Sequence, residues 1–293
     1  MATSRYLRLQ SGVVNAVRDF FLKKKNYTEI FAQKETNILS ACENPHSSRS
    51  FVWRGEEWSL PQTSQTYNEM TLQKYPELFG VFSSSTSYRD ERPEDYIEGR
   101  HAKTGIFDAC EYELLGGIDE LAEIHTELMA HLGFRTPDGS SNFPRLDYLE
   151  MCDKYNTPSL ENEHEAMMEV EYGPVVLLCN FPKFTHPFFS MQRFDEDKGD
   201  RTRYKKIDVI VGGMEVIGSS ERSCDVEQMR EDFMTLENGN FSKVLFDRFG
   251  EERVLKELDE FLSVQRFKTS GGGVGVMRLI KAIQKYNLAD RYI

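Results

Sequence analysis

Strands in this chain come as sequence neighbours. Phe51 to Leu60 alternates around Trp53 and Trp58 with Arg54-Gly55-Glu56 between them, and Ile207 to Val211 is followed by Met214 to Ile217 across Gly212-Gly213. A serine-rich segment after Leu78 to Phe82 ends at Arg89; a charged loop then leads to a strand from about Gly105 to Glu113. Strands joined by short turns pair antiparallel, whereas parallel pairs need a long crossover. The expected fold is therefore α+β, an antiparallel β-sheet flanked by helices, rather than a doubly wound parallel sheet. Tyr27 to Phe31 and Val175 to Cys179 are further strand candidates.

The helices are read from 3.6-residue spacing. Tyr6 to Lys25 places Leu7, Val13, Val14, Val17, Phe20 and Phe21 at helical intervals, and Ile118 to Leu132 carries Leu121, Ile124, Leu128 and Leu132 on one stripe before Gly133. Gln65 to Lys74, the second half of Arg145 to Tyr155, Ser159 to Glu171, most of Val226 to Glu260 and a last segment through Tyr286 complete the set.

With 293 residues, 39% of them hydrophobic and 12% aromatic, the chain can bury a sizeable core. No apolar run approaches the roughly 18 residues of a membrane helix. The first ten residues lack the apolar centre of a signal peptide, so the expected location is the cytoplasm. Cys42, Cys110, Cys152, Cys179 and Cys224 lie far apart, without the spacing of a zinc site or a disulfide framework. A net charge of −12 argues against a surface devoted to nucleic acid, which needs clustered Lys and Arg, and fits a small-molecule substrate.

Three segments carry candidate chemistry. Arg89, Arg100 and His101 stand at the mouth of the hairpin from Tyr88 to Glu113; they either merely pair with the Glu and Asp residues of that loop, or bind phosphate and carboxylate through planar donor forks. Asp208 and Glu215 flank the Gly212-Gly213 turn, where two carboxylates on paired strands can share a Mg²⁺ with substrate phosphates. Arg222 follows: it either meets an anionic substrate or neutralises Glu221 or Asp225. The run Gly271-Gly272-Gly273-Val274-Gly275 permits backbone conformations that other residues resist and lets main chain approach a ligand, with Arg278 one turn into the helix behind it. It is neither a Walker motif nor a dinucleotide fingerprint.

Taken in order, these segments resemble the catalytic domain of class II aminoacyl-tRNA synthetases, in the aspartyl and asparaginyl branch, over nearly the whole chain. Tyr88-Arg-Asp-Glu91 looks like motif 2, Phe107-x-x-x-Glu111-x-Glu113 like its returning strand, and Gly271 to Leu279 like motif 3. Asn142-Phe-Pro-Arg-Leu-Asp-Tyr, Leu160-Glu-Asn-Glu-His-Glu, Asn180-Phe-Pro, Pro187-Phe-Phe and the segment from Asp208 to Arg222 are similar to branch-specific stretches. The resemblance implies ATP and Mg²⁺ as cofactors. Arg89 would hold the α-phosphate and the carboxylate being activated, Glu91 the adenine amino group, and Phe107 the adenine ring. Arg100, His101 and Arg278 would hold the outer phosphates, and Asp208 and Glu215 the metal. Glu43, Gln65 and Glu111 would surround the amino group of the amino acid, with Arg222 at its far end. A homodimer is implied as well.

The departures are specific. Ala32-Gln33 stands where motif 1 has Thr-Pro, Ala102 to Ile106 replaces a short Pro-Glu segment, Met277 replaces an acidic residue, and Asn68 occupies the aspartyl enzymes' lysine position. No anticodon-binding barrel precedes the first helix, so residues 1–293 are expected to be a single catalytic domain with tRNA charging not expected. The sequence is similar to free-standing synthetase paralogues, above all the archaeal-type asparagine synthetases. The expected activity is that of an AMP-forming ligase, adenylating aspartate on its side-chain carboxylate at Arg89, with the α-carboxylate at Arg222, and passing it to ammonia. The alternatives are a truncated tRNA ligase or a biosynthetic ligase using another amine, and a regulatory paralogue without turnover.

Overall fold

The N-terminal amphipathic pattern forms α1 (Ser4–Asp19), capped by Thr3 and continued by a π-turn over Phe20–Lys24. Its buried stripe is Leu9, Val13 and Val17, while Leu7, expected inside, is 54% exposed. The computed structural model describes residues 3–32, 38–41, 43–90, 104–194 and 202–293; Glu91, Arg100 and His101, like Gln33 and Cys42, lie outside the described residues. Tyr27 to Phe31 contributes only a two-residue strand β1 (Thr28–Glu29), and short 3-10 turns at Ile38–Ala41 and Pro45–Ser47 precede Ser50. A separate hairpin, β2 (Ser50–Trp53) and β3 (Glu56–Ser59), precedes helix α2 (Gln65–Lys74).

The site rests on a long hairpin, β4 (Gly80–Tyr88) with β5 (Ile106–Leu115), followed by α3 (Ile118–His131). Next come β6 (Arg145–Asp147), α4 (Tyr148–Tyr155), α5 (Asn162–Tyr172) and β7 (Val175–Pro182). A second hairpin, β8 (Arg203–Val211) with β9 (Met214–Glu221), leads to α6 (Val226–Thr235), α7 (Asn240–Phe249) and α8 (Glu251–Leu262). The chain closes with β10 (Thr269–Gly275) and α9 (Val276–Lys285).

One eight-stranded sheet runs β1-β4-β5-β10-β9-β8-β7-β6. Only the edge junctions β1/β4 and β6/β7 are parallel; the rest are antiparallel, as the hairpin pattern predicted. One face is covered by α1, α3 and α9, whose Val13, Leu121, Leu128, Leu279 and Ile283 pack with Tyr112, Val209 and Val274 in the principal core. Strand side chains alternate between faces, so Tyr112 and Leu114 of β5 enter this core while Glu111 and Glu113 point to the opposite face. A second core unites α6, α7 and α8 through Phe233, Phe241 and Leu258 with Phe189 and Tyr204. Among the described residues no helix is long and apolar enough to cross a membrane.

The glycine run corrects the sequence reading. It is a central strand, and Gly271, Gly272 and Gly273 are absent from the positive-φ residues. Their need is steric: Gly271 pairs with Glu113, where a Cβ would meet Glu113 Oε2 at 2.0 Å and the Tyr112 carbonyl at 2.3 Å. At Gly272 it would meet Ser219 Cβ at 2.5 Å. Gly271→Ala should therefore cost about 3 kcal/mol of stability, the upper range for overpacking a tight interior. Urea denaturation followed by circular dichroism measures this; an unchanged midpoint would contradict it.

Candidate active site

On the face opposite α1, α3 and α9, the sheet and the loops above it enclose a cleft of about 310 Å³. Glu43, Gln65, Arg89, Phe107, Glu111, Glu215, Arg222 and Arg278 all line it. Asp208 is not among the lining residues but adjoins them, its Oδ2 lying 2.6 Å from Nζ of the lining Lys206. Residues from five separate stretches of sequence thus converge on one place.

Arg89 follows directly on β4. Its N–H donates to the Gly105 carbonyl at 2.8 Å, and Gly105 (φ +65°) has no room for a Cβ, which would lie 1.7 Å from the Arg89 oxygen. This closure sets the guanidinium 5.2 Å from the Phe107 ring centroid and 2.5 Å from Glu43 Oε1. The arginine and the aromatic ring form one wall.

The amino-group candidates lie deeper. Glu111 is buried and accepts hydrogen bonds from the Ser64 N–H at 2.8 Å, from Ser85 Oγ at 2.5 Å and from Thr63 Oγ1. Burial pushes its carboxyl above the usual range, and the three donors oppose that rise. Gln65 Nε2 reaches Ser190 Oγ at 3.5 Å.

Arg222 is where the sequence reading needs most revision. Neither Glu221 nor Asp225 is its partner: Glu221 accepts from Lys205 Nζ at 2.9 Å, and Asp225 caps α6 through the Gln228 N–H at 3.0 Å. Arg222 is instead fully buried against Glu113, with Nε to Oε1 at 3.1 Å and Nη2 to Oε2 at 3.0 Å, and donates from Nη1 to Ser220 Oγ at 2.6 Å. Glu69 Oε2 stands 3.8 Å from its Nε, and Glu69 Oε1 pairs with Arg266 at 2.5 Å. Two arginines and two glutamates form a neutral buried network under the cleft. Asn68, the residue before Glu69 on α2, is also buried and accepts from Ser83 Oγ at 3.1 Å; its Nδ2 has no partner among the described residues.

Burial raises the Glu113 carboxyl to about 7, against the pull of Arg222. In the unfolded chain that proton leaves near 4.5, in the folded one near 7, so between these values the native state holds more proton and loses stability as pH rises. The loss levels off once both states are ionised. Urea unfolding from pH 5 to 8 should show a smaller fall in Glu113→Gln than in the native chain; equal slopes would refute the assignment.

Asp208 and Glu215 are brought together by the β8–β9 turn, which places both on the cleft face. A Cβ on Gly218 would lie 2.9 Å from Glu215 Oε1 and 3.7 Å from Asp208 Oδ1, so the glycine leaves a cradle between the carboxylates. Asp208 Oδ1 is buried without a hydrogen-bond partner among the described residues. Its other oxygen accepts from Lys206 Nζ at 2.6 Å, and Arg278 Nη1 lies 3.5 Å from Glu215 Oε2. Burial raises Asp208 to about 7, with Lys206 opposing; Lys206 is lowered by its own burial but raised more by Asp208 and Glu215, for a net upward shift. An orphaned buried acid oxygen beside a second carboxylate and an open cradle suits a hard, oxygen-seeking divalent cation. No group of three or more His, Cys, Asp or Glu able to hold a metal occurs among the described residues, so such an ion would draw its remaining ligands from substrate and water.

A bulge completes the arrangement. Val209 pairs with Ile217 but Ile210 pairs with Glu215, leaving Val216 as the extra residue. Strict alternation would put Arg222, seven residues after Glu215, on the other face; the bulge returns Gly218, Ser220 and Arg222 to the cleft side. Lys206 and Glu113 are the functional candidates that sequence reasoning did not single out. Two-residue alternation from Asp208 and Glu111 was the available signal for both.

This fold is that of a class II aminoacyl-tRNA synthetase catalytic core. The structure superposes on Pyrococcus horikoshii asparaginyl-tRNA synthetase complexed with asparaginyl-adenylate with a TM-score of 0.74 at 20% identity, covering 96% of this chain and 65% of that one. Entamoeba histolytica asparaginyl-tRNA synthetase in complex with asparaginyl-adenylate gives 0.70 at 18% identity, with 95% and 63% covered.

Residues 1–288 match the model for tRNA synthetases class II (D, K and N), and the chain belongs to that family. It is 27% identical over 167 residues to the aspartate–tRNA(Asp/Asn) ligase of Thermosynechococcus vestitus, covering 53% of this chain and 25% of that protein. It is 22% identical over 242 residues to the aspartate–tRNA(Asp) ligase of Pyrobaculum aerophilum, covering 76% and 53%. The matches thus span a quarter to about half the length of these curated relatives.

Proposed function

We propose that the cleft is an ATP-dependent, AMP-forming ligase site that adenylates an amino acid, aspartate in the first instance, and transfers it to ammonia. The observation that carries this reading is the convergence of Arg89, Phe107, Glu111, the Asp208–Glu215 pair and Arg278 on one cleft. Phe107 offers a face for adenine and Arg89 a fork for the α-phosphate. Arg278, with Arg100 and His101 outside the described residues, takes the outer phosphates, and Glu91 the adenine amino group. Glu111, Glu43 and Gln65 receive the ammonium of the amino acid, and the Arg222 network its far carboxylate. Asp208 and Glu215 are the residues to hold Mg²⁺, which when bound supplies neutralising charge to the polyphosphate.

The bonds follow from this placement. A carboxylate oxygen of the amino acid attacks the α-phosphorus in line while the bond from that phosphorus to the pyrophosphate oxygen breaks. Ammonia then adds its lone pair to the acyl carbon, AMP leaves with the electrons of the C–O bond, and the new amide nitrogen releases its surplus proton. The protein acts by orientation and charge, with no covalent nucleophile. On this reading the chain acts as one catalytic unit and as a homodimer; support for the latter is the apolar groove beside α1, lined by Val13, Val14, Val17, Ala32 and Leu279, with Phe31 exposed nearby.

A second reading, transfer of the activated amino acid to tRNA, is favoured by the family and by the names of its curated relatives. ATP–pyrophosphate exchange screened across the amino acids tests adenylation itself. Asparagine and AMP formed from ATP, aspartate and ammonia support the amide ligase. Periodate-sensitive charging of tRNA without asparagine formation supports the second reading, and no exchange with any amino acid overturns both.

A further inference from the structure

Lys206 has no role in the reading above, yet it sits inside the metal cradle. It is on the same face of β8 as Asp208, its Nζ is 2.6 Å from Asp208 Oδ2, and it lies 3.7 Å from the Phe181 ring centroid. Its side chain is 20% exposed and lines both the cleft and an adjoining chamber of about 870 Å³ that also meets Glu43, Phe188 and Met191. Across the cradle, Arg278 stands beside Glu215. Both carboxylates suited to a divalent cation therefore already stand beside a cation of the chain itself, with Glu165 as a third carboxylate close by, its Oε2 accepting from the Glu215 N–H at 2.9 Å.

A divalent cation entering this cluster alone faces two resident positive charges. With a polyphosphate beside it, the same cations gain a better partner. We propose that Lys206 is a polyphosphate-binding residue and a competitor for the metal: without nucleotide its ammonium holds Asp208, and when metal and nucleotide arrive together it turns to a phosphate oxygen and yields Asp208 to the metal. The inference rests on the adenylation reading for the identity of the polyphosphate. Lysine suits the task because its ammonium is a compact charge on a flexible stem, and the open volume on the cleft side lets it swing. Entry of the metal is thereby tied to entry of the nucleotide.

The test reads binding without turnover. Mn²⁺ is titrated into the nucleotide-free protein by electron paramagnetic resonance, for the native chain, Lys206→Met and Lys206→Gln. Both variants should bind Mn²⁺ on the order of tenfold more tightly, since a nearby cation weakens a carboxylate's hold on another cation by about one to three powers of ten, as it does for the proton. An α,β-methylene ATP analogue with Mg²⁺, followed by calorimetry, should bind about tenfold more weakly to both variants. Asp208→Asn placed in the Lys206→Met background should abolish the gained Mn²⁺ affinity. A lysine that only supports the fold would move the unfolding midpoint and not tighten Mn²⁺. Unchanged or weaker Mn²⁺ binding in both variants, or gained binding that survives Asp208→Asn, would overturn the inference. Because the Mn²⁺ arm needs no amino acid, absence of pyrophosphate exchange in the native chain would dismiss adenylation and leave this cation competition to be judged by its own result.

Discussion

Arg222→Leu is expected to lower the stability of the folded chain by about 3–5 kcal/mol and to leave no measurable amino-acid activation. Glu113 and Glu69 are fully buried and share the guanidinia of Arg222 and Arg266. Removing one of the two cations leaves a buried negative charge that burial alone already disfavours, as the raised Glu113 carboxyl records. The double replacement Arg222→Leu with Glu113→Leu restores charge balance, because Glu69 and Arg266 remain paired. It should recover most of the lost stability without recovering activation. Denaturant unfolding of the single and double variants, with pyrophosphate exchange on each, separates the structural share of Arg222 from its share in binding. A single variant as stable as the native chain would show that the buried network is not what holds this part of the sheet.

The second large effect has the opposite profile. Arg89→Ala should reduce pyrophosphate exchange about 10²–10³-fold, the usual consequence of removing one preorganised donor from developing charge. It should change stability by no more than about 1 kcal/mol, because the Arg89–Glu43 pair is partly solvated, at 27% and 41% side-chain exposure. Exchange kinetics and a urea curve on the same preparation suffice. A variant that loses stability but keeps exchange would place Arg89 in the scaffold and not in the chemistry.

Much of the fold was legible. Helix α2 falls on Gln65–Lys74 as read, α3 buries the expected Leu121, Ile124 and Leu128, and the hairpins lie where alternation and glycine-rich turns put them. Gly272, Gly273 and Gly275 do line the cleft, but the conformational freedom expected of the run was misjudged for a physical reason. Glycine in sequence advertises conformational freedom, but here it marks the absence of a side chain opposite Glu113 and beside Ser219, a need visible only once β10 is seated between β5 and β9. The partners of Arg222 were hidden in the same way. Glu221 and Asp225 are its neighbours in the chain, whereas Glu113 and Glu69 reach it across the sheet and from α2.

Residue spacing alone determined which neighbouring segments form hairpins and which helix faces are apolar, because these depend on local periodicity and turn chemistry; that the arginines and the carboxylate pair would act as one set was implied only by the resemblance. Tertiary structure alone decided that Val216 bulges and so turns Arg222 toward the cleft, that Arg222 arrives there already bound to Glu113, and that Lys206 shares Asp208. Those outcomes depend on strand order and register, which are set by packing between segments far apart in sequence.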